Sequence, residues 1–343
     1  MTGSTPAAAG AAERAAPFRS VGGGGSDPVR VLYVAGAGRS GSTVLANLLG
    51  EVPGFVSVGE VRFLWERGLV EGRLCGCGVA VPSCPFWSRV LAGAFGREDA
   101  VDPREMMRLE RLGTRARHVP AMVRSRSGAA ARAHLARMGP YADRLARLYR
   151  AIRSVSRARV VVDSSKLPGY GFVLGLLPEV DLRVVHLVRD PRATAFSWSR
   201  VKDQPDRGAP GVMRRKTPPT AAALWTAGNA AADALWSGRP ATLRLRYEDF
   251  VAAPGAALTR VLELAGEPDA ASPLIGERTV ELGVHHTVAG NPDRLRTGRV
   301  ELRADREWRG RMRARDRALV TALTWPLLLR YGYLGEADDG SGG

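Results

Sequence analysis

Residue types that bind anions are concentrated in the segment Gly36-Ala37-Gly38-Arg39-Ser40-Gly41-Ser42-Thr43. Its glycines let the backbone approach a ligand closely, and its hydroxyl groups can donate hydrogen bonds. Arg39 adds a fixed positive charge. Gly36 and Gly41 have the spacing of a Walker A loop, but Ser42 replaces the lysine of that motif, which argues against a nucleoside triphosphatase. The alternative is a glycine-rich turn that binds nothing.

The elements on either side of this loop are predicted by hydrophobic patterning. The apolar, β-branched run at 29–35 predicts a buried strand, and apolar residues at helical spacing in 44–49 predict a helix. The start of a helix leaves backbone N–H groups unpaired and carries a partial positive charge. The sequence therefore predicts a strand, a loop and a helix arranged to bind a phosphate-like anion.

This strand, loop and helix resembles the donor-binding segment of the sulfotransferases, which transfer a sulfuryl group from 3′-phosphoadenosine 5′-phosphosulfate (PAPS) to an acceptor. The resemblance implies that the 5′-phosphosulfate of PAPS is bound by six consecutive residues, Gly38, Arg39, Ser40, Gly41, Ser42 and Thr43. We call residues 36–43 the donor loop. We expect no metal ion in the reaction, because PAPS carries no polyphosphate that needs Mg²⁺.

A carboxylate follows the next strand-like run, at Gly59-Glu60. In the sulfotransferases that act on protein tyrosines, and in related bacterial sequences, a Gly-Glu pair follows the donor loop at a similar distance, and its Glu is taken as the base. Glu60 matches that position, so the resemblance implies that it accepts the proton of the attacking hydroxyl. The alternative is a surface carboxylate paired with Arg62.

A second apolar run, 159–163, ends in the polar tip Ser164-Ser165-Lys166. Ligands of open parallel sheets bind beyond the carboxyl ends of the strands, so Lys166 is expected near the donor. Its ammonium, together with the Arg39 guanidinium, would act in catalysis by neutralising the sulfuryl group and the negative charge that develops on the leaving phosphate. A family lysine lies in a comparable place. The alternative is a surface lysine that caps the following helix.

A further strand-to-helix turn carries Arg189 and, eight residues later, Ser197. In sulfotransferases an Arg and a Ser at these positions bind the 3′-phosphate of the donor, and a guanidinium suits a phosphate dianion. Arg192 and Arg200 are alternatives for this role. Tyr247 follows an alternating strand and resembles the family tyrosine that contacts the nucleotide.

The turn-rich segment 285–298 resembles a loop of bacterial sulfotransferases that carries Gly-Asn-Pro and an Arg ahead of an acidic-x-x-Trp motif, here Asp305-Arg306-Glu307-Trp308. The resemblance implies that Arg294 or Arg296 contacts the donor when this basic loop closes and excludes water. The adjacent pair His285 and His286 could suggest a metal, but neighbouring histidines usually point apart.

Three cysteines lie close together in the sequence, at Cys75, Cys77 and Cys84. A tetrahedral zinc site needs four ligands, and the local segment offers no fourth one. Reduced thiols are therefore the main expectation. A disulfide and a structural zinc site are the alternatives.

The chain has 343 residues and a formal net charge of +16. Only three of its 50 basic residues are lysines, so the charge reflects a general use of arginine. No motif of a nucleic-acid-binding protein accompanies it, so we expect no nucleic-acid partner. The sequence also lacks a transmembrane run and a recognisable signal peptide, which favours a cytoplasmic protein.

The expected architecture is one α/β domain at 28–335, with a mainly parallel central sheet flanked by helices and a P-loop-like sulfotransferase fold. Disordered tails are expected at 1–27 and 336–343, and a helical insertion at about 72–158.

The expected reaction transfers a sulfuryl group from PAPS to a hydroxyl of a small molecule, carbohydrate, lipid or peptide, and leaves 3′,5′-ADP and a sulfate ester. The alternatives are a P-loop kinase with a degenerate loop and an Arg-rich nucleic-acid-binding protein. The acceptor and the oligomeric state stay open at this point.

Overall fold

The computed structural model describes residues 27–97, 100–125, 128–207 and 211–334. The tails expected to be disordered, 1–27 and 336–343, lie outside these residues except for Asp27. Within the described ranges, no helix has both the length and the hydropathy needed to cross a membrane.

A five-stranded parallel sheet forms the centre of the fold, in the order β2-β3-β1-β4-β5. This confirms the predicted α/β class with a parallel sheet. The strands are β1 Val29–Gly36, β2 Phe55–Gly59, β3 Val160–Lys166, β4 Val180–Val188 and β5 Thr242–Arg246. A small antiparallel pair, β6 Thr279–Leu282 and β7 Gly298–Glu301, lies later in the chain.

Both faces of the central sheet are covered, as β1 shows. Its side chains alternate between two hydrophobic clusters, with Val31 and Tyr33 in one and Leu32 and Val34 in the other. All four are fully buried. Because neighbouring strand residues point to opposite faces, an apolar run without alternation is typical of a parallel sheet with helices on both sides.

The α-helices of the described residues are, in chain order, α1 Ser42–Gly50, α2 Pro85–Phe95, α3 Pro103–Gly113, α4 Val119–Arg124, α5 Gly128–Arg137, α6 Gly139–Ser156, α7 Pro168–Leu176, α8 Pro191–Ser199, α9 Pro218–Trp236, α10 Tyr247–Ala252, α11 Pro254–Ala265, α12 Glu307–Arg311 and α13 Ala314–Arg330. Helices α2 to α6 lie between β2 and β3 in the sequence, where the helical insertion was expected. A π-helical segment, Leu64–Val70, precedes them.

The parallel arrangement brings the ends of the five strands to one edge of the sheet. The donor loop follows β1, and β3 ends at Lys166. Glu60, Arg189 and Tyr247 each follow directly after a strand, namely β2, β4 and β5. In a parallel sheet all carboxyl ends meet at the same edge, so the fold gathers residues that are far apart in the sequence.

Candidate active site

The donor loop turns sharply between β1 and α1. Arg39 has a φ of 69° and Gly41 a φ of 89°, both in the left-handed region. Gly41 is also the residue before the first turn of α1, and a Cβ there would lie 2.2 Å from the Tyr247 ring. Only glycine permits both this backbone conformation and the close packing of Tyr247. The Tyr247 ring therefore forms one wall of the loop.

The Arg39 side chain lies on an aromatic surface. Its guanidinium carbon is 4.8 Å from the centre of the Trp198 ring, and its Nη2 is 3.1 Å from Met213 Sδ. Burial lowers the pKa of Arg39, while the carboxylates of Asp293 and Glu60 oppose that shift. Arginine keeps its proton in spite of such shifts, so a partly desolvated positive charge lies beside the loop.

Arg189 lies directly against the donor loop. Its Nη1 donates a hydrogen bond to the carbonyl oxygen of Arg39 at 3.3 Å, and its guanidinium is 4.7 Å from the centre of the Tyr247 ring. Its Nη2 donates to Asp305 Oδ2 at 3.2 Å. Arg200 also pairs with Asp305, at 3.7 Å. The structure thus brings two of the predicted anion-binding residues, Arg39 and Arg189, into contact.

Ser197 lies on α8, half-buried, one residue before Trp198. Ser197 and Trp198 both belong to α8. Because the Arg39 guanidinium lies over the Trp198 ring, this helix borders the donor loop. Lys216 Nζ also lies over the Trp198 ring, 4.7 Å from its centre. The Trp198 ring therefore contacts two cationic groups, those of Arg39 and Lys216.

Glu60 and Lys166 form an ion pair in which Glu60 is buried and Lys166 is half-buried. Lys166 Nζ donates to Glu60 Oε1 at 2.5 Å and to the Ser164 carbonyl at 2.8 Å. The exposed fraction of Glu60 is 7%. The backbone N–H of Glu60 donates to the Val288 carbonyl at 2.7 Å, which fixes the carboxylate at the end of β2. Glu60, the predicted proton acceptor, is therefore in direct contact with Lys166, the residue predicted to stabilise the developing charge.

Gly290 connects this ion pair to the donor loop. A Cβ at Gly290 would lie 3.3 Å from Glu60 Oε1 and 3.7 Å from Thr43 Oγ1. The Glu60 carboxylate and the Thr43 hydroxyl, at the start of α1, thus border the same small volume. The predicted proton acceptor and the predicted donor loop are neighbours in this structure.

The turn-rich segment 285–298, which we call the C-terminal loop, contains two arginines, Arg294 and Arg296, that have different environments. Arg294 is buried in an ion pair with Asp206 at 3.1 Å and donates to the carbonyls of Leu74 and Thr287 at 2.6 and 3.0 Å. Its guanidinium is thus engaged with the protein itself. Arg296 is exposed. The structure does not bring either side chain into the contacts of Arg39 and Arg189 described above.

Several buried polar atoms beside the donor loop have no hydrogen-bond partner within the described part of the chain. They are Ser40 Oγ, Arg39 Nε and Arg189 Nε. An unpaired buried polar group is costly, and each such group calls for a partner. An anion bound at this edge of the sheet would provide acceptors for all three.

Sequence reasoning missed three residues that shape the site, namely Trp198, Met213 and Asp305. Trp198 immediately follows the predicted Ser197. However, the sequence of a helix does not show that one of its aromatic rings will contact the guanidinium of Arg39. Asp305 belongs to the acidic-x-x-Trp motif, which suggested a family feature without a role. Met213 gave no signal, because its contact with Arg39 joins residues 174 positions apart.

Comparison with known proteins agrees with this geometry. A solved structure, the sulfotransferase domain from the Synechococcus PCC 7002 olefin synthase, is similar to the chain with a TM-score of 0.51 and 19% identity, over 91% of this chain and 97% of that one. At this identity the similarity concerns the fold. No curated protein matches the chain significantly. The model of the sulfotransferase family matches residues 32–271, which include the donor loop, Glu60, Lys166, Arg189 and Tyr247. The chain therefore belongs to the sulfotransferase family.

Proposed function

We propose that the protein transfers a sulfuryl group from PAPS to a hydroxyl acceptor and releases 3′,5′-ADP. The observation that carries this proposal is the contact between the Arg189 guanidinium and the Arg39 carbonyl. It brings two cationic groups to one edge of the sheet, as a nucleotide with phosphates at both its 3′ and 5′ positions requires. Family membership supports sulfuryl transfer in general, and this contact supports PAPS as the donor.

In this proposal the donor loop binds the 5′-phosphosulfate. The unpaired Ser40 hydroxyl, the N–H groups at the start of α1 and the Arg39 guanidinium supply donors and positive charge there. Arg189 and Ser197 bind the 3′-phosphate, and Tyr247 packs beside the nucleotide. Because Arg294 is engaged with Asp206, we assign it the role of holding the C-terminal loop, and we leave Arg296 as the residue of that loop that could reach the donor.

The proposed reaction is an in-line displacement at sulfur. The acceptor oxygen forms a bond to sulfur while the bond between sulfur and the bridging phosphate oxygen breaks. The hydroxyl proton passes to Glu60, and the electron pair of the broken bond stays on the leaving phosphate of 3′,5′-ADP. We assign Lys166, which contacts Glu60, the role of stabilising that developing charge.

A calorimetric titration tests the donor assignment. We expect 3′,5′-ADP to bind tightly, 5′-AMP to bind more weakly because it lacks the 3′-phosphate, and EDTA to leave both affinities unchanged. Preference for ATP with Mg²⁺ would contradict the proposal and favour a P-loop kinase. The Arg-rich surface needs its own control, because non-specific affinity for DNA should collapse between low and moderate salt whereas nucleotide affinity should change far less.

The acceptor class is the open part of this proposal. A hydroxyl on a small molecule, a carbohydrate, a lipid or a peptide would suit Glu60 as the proton acceptor. Incubating the full chain with PAPS and a panel from each class, and reading the products by mass spectrometry, would identify it by the added mass of one sulfuryl group. Failure of every acceptor, together with no binding of 3′,5′-ADP, would contradict the proposed function.

A further inference from the structure

Four potential metal ligands meet next to the C-terminal loop: Cys75, Cys77, Cys84 and His286. Cys84 Sγ lies 3.6 Å from Cys77 Sγ and 3.3 Å from His286 Nδ1, and Cys75 Sγ lies 3.8 Å from the same nitrogen. All four ligand atoms are within 4.8 Å of one another. Cys75 and Cys84 are fully buried.

These distances suit one tetrahedral zinc ion. With Zn–S bonds of about 2.3 Å and a Zn–N bond of about 2.0 Å, ligand atoms at tetrahedral angles lie roughly 3.5 to 3.8 Å apart. Three of the ligand separations, 3.3, 3.6 and 3.8 Å, fall close to that range. A disulfide instead requires sulfurs about 2.05 Å apart, so the Cys77 and Cys84 thiols are not bonded to each other in this geometry.

The first two cysteines lie on a tight turn. The backbone N–H of Cys75 donates to the Val79 carbonyl at 2.7 Å, and that of Gly78 donates to the Cys75 carbonyl at 2.9 Å. Leu74 and Ala80 form an antiparallel bridge that closes the turn. The turn therefore holds Cys75 and Cys77 close together by backbone contacts.

The third cysteine directly precedes α2. Cys84 is the N-cap residue of α2, and its carbonyl accepts a hydrogen bond from the Ser88 N–H at 2.9 Å. Helix starts favour negative charge, and a zinc-bound thiolate is negatively charged. The position of Cys84 is thus suited to a thiolate ligand.

The histidine is oriented by its neighbours. Trp87 Nε1 donates to the His286 carbonyl at 2.9 Å, and the Phe86 ring stacks on the imidazole with centres 4.8 Å apart and a 6° angle. A Cβ at Gly76 would lie 2.4 Å from the His285 carbonyl, so this glycine allows the two segments to touch. His285 itself points away and pairs with Glu51 at 2.8 Å, in agreement with the expectation for adjacent histidines.

We propose that Cys75, Cys77, Cys84 and His286 bind one structural zinc ion. The expectation of free thiols rested on the lack of a fourth ligand in the local sequence, and the fold supplies His286 from 202 residues beyond Cys84. Four protein ligands leave no open position, so the ion would fix the structure and take no part in the reaction. It would join the start of α2 to the segment that continues to Val288, the partner of Glu60.

Metal analysis of the full chain, purified without chelators, tests the proposal. Elemental analysis should give about one zinc per chain, and X-ray absorption at the zinc edge should fit three sulfurs at about 2.3 Å and one nitrogen. Iron in place of zinc would overturn the choice of metal. Metal-free protein with three reactive thiols that takes up no added zinc, or with a disulfide between Cys77 and Cys84, would overturn the site itself.

Variants separate the ligand set from general folding effects. His286→Ala and Cys84→Ser should each reduce the zinc content to well below half, whereas His286→Cys, which restores a four-ligand set, should retain it. His285→Ala is the matched control and should bind zinc like the unchanged chain. If His286→Ala kept a full zinc content, the assignment of the ligands would be wrong. Should a variant fail to fold, the absorption spectrum of the unchanged chain still decides the outcome.

Discussion

The Arg189 guanidinium donates to the carbonyl oxygen of Arg39, although 150 residues separate the two in the sequence. Each residue belongs to its own strand-to-helix turn, one after β1 and one after β4, and these strands are neighbours in the sheet. The contact therefore follows from the parallel pairing of β1 and β4. The separate roles that we propose for the two arginines in donor binding can each be tested.

Replacing Glu60 with Gln should abolish turnover while leaving 3′,5′-ADP affinity within about twofold, because the amide fills the same space but cannot accept the acceptor proton. General base catalysis is worth about 10² to 10⁴ in rate, so turnover should fall by at least about 100-fold. Steady-state rates and calorimetry would measure both effects. Glu263→Gln, an exposed position on α11, is the matched control. Unchanged turnover in Glu60→Gln would remove this residue from the reaction.

Arg189→Ala should weaken the binding of 3′,5′-ADP far more than that of 5′-AMP, since only the former carries the 3′-phosphate. Loss of a charged hydrogen bond costs about 1.5 to 3 kcal/mol, or roughly 10- to 100-fold in affinity. Arg183→Ala provides the control, because Arg183 lies on β4, the strand that precedes Arg189, but pairs with Asp181. Equal losses for the two nucleotides would contradict the assignment of the 3′-phosphate to Arg189.

Two substitutions at Arg39 should separate its side chain from its backbone. Both Arg39→Gly and Arg39→Ala remove the guanidinium, so donor affinity should fall in each. Because Arg39 has a φ of 69°, glycine fits the turn without strain, whereas alanine keeps a cost of about 1 kcal/mol. Urea unfolding should therefore rank Arg39→Gly as the more stable of the two. If Arg39→Gly were the less stable variant, the conformational entropy that glycine adds to the unfolded chain would outweigh the backbone strain of Arg39→Ala.

Asp305→Asn should strengthen 3′,5′-ADP binding by about three- to tenfold. The Asp305 carboxylate pairs with both Arg189 and Arg200, so it competes with a phosphate for the same charges. Removing its charge leaves Arg189 free to bind the nucleotide, whereas Arg200 keeps its closer ion pair with Glu307 at 2.7 Å. Asp269→Asn, at an exposed position, is the control. Weaker binding in Asp305→Asn would show that the carboxylate orients Arg189 for its ligand.

The buried Asp163 should make stability depend on pH. Burial raises its pKa from 3.8 to about 6, although Ser165 and Tyr149 donate hydrogen bonds to the carboxylate. The folded chain therefore binds more protons than the unfolded chain between these two values, and this group's contribution to stability falls as pH rises through that window. Relative to Asp163→Asn, the free energy of unfolding should drop by about 2 kcal/mol from pH 4 to pH 6.

Urea unfolding of the unchanged chain and of Asp163→Asn at several pH values would measure this difference. The difference in the free energy of unfolding between the two chains removes the contributions of all other titrating groups, as long as those groups titrate alike in both chains. A difference that stays constant from pH 4 to pH 6 would show that Asp163 does not hold its proton in the folded state.

Local sequence patterns were sufficient to predict the parts of the site that lie at the ends of strands. The strand, loop and helix around Arg39, and the turn that carries Arg189, could be predicted because an apolar run, a glycine-rich turn and helical spacing each have a local physical cause. The convergence of Glu60 and Lys166 could be expected from the general rule that ligands bind at the carboxyl edge of a parallel sheet.

Local sequence patterns could not predict contacts between side chains that lie far apart in the sequence. Arg294 resembles a donor-binding residue in its sequence, yet it forms a buried ion pair with Asp206, because spacing cannot show which partner a guanidinium faces. His286 was judged without the cysteines it meets, since only the folded chain brings these segments together. Asp305, likewise, could not be recognised as the partner of Arg189.

The hydrogen bond between Glu60 and the Val288 carbonyl lies partly outside the region that the family model matches, which ends at residue 271. The last segment of the chain thus completes a site whose other parts come from the first 250 residues. A chain shortened to end at residue 271 would still contain the β1 to β5 sheet, but its Glu60 would lack the backbone partner that fixes it.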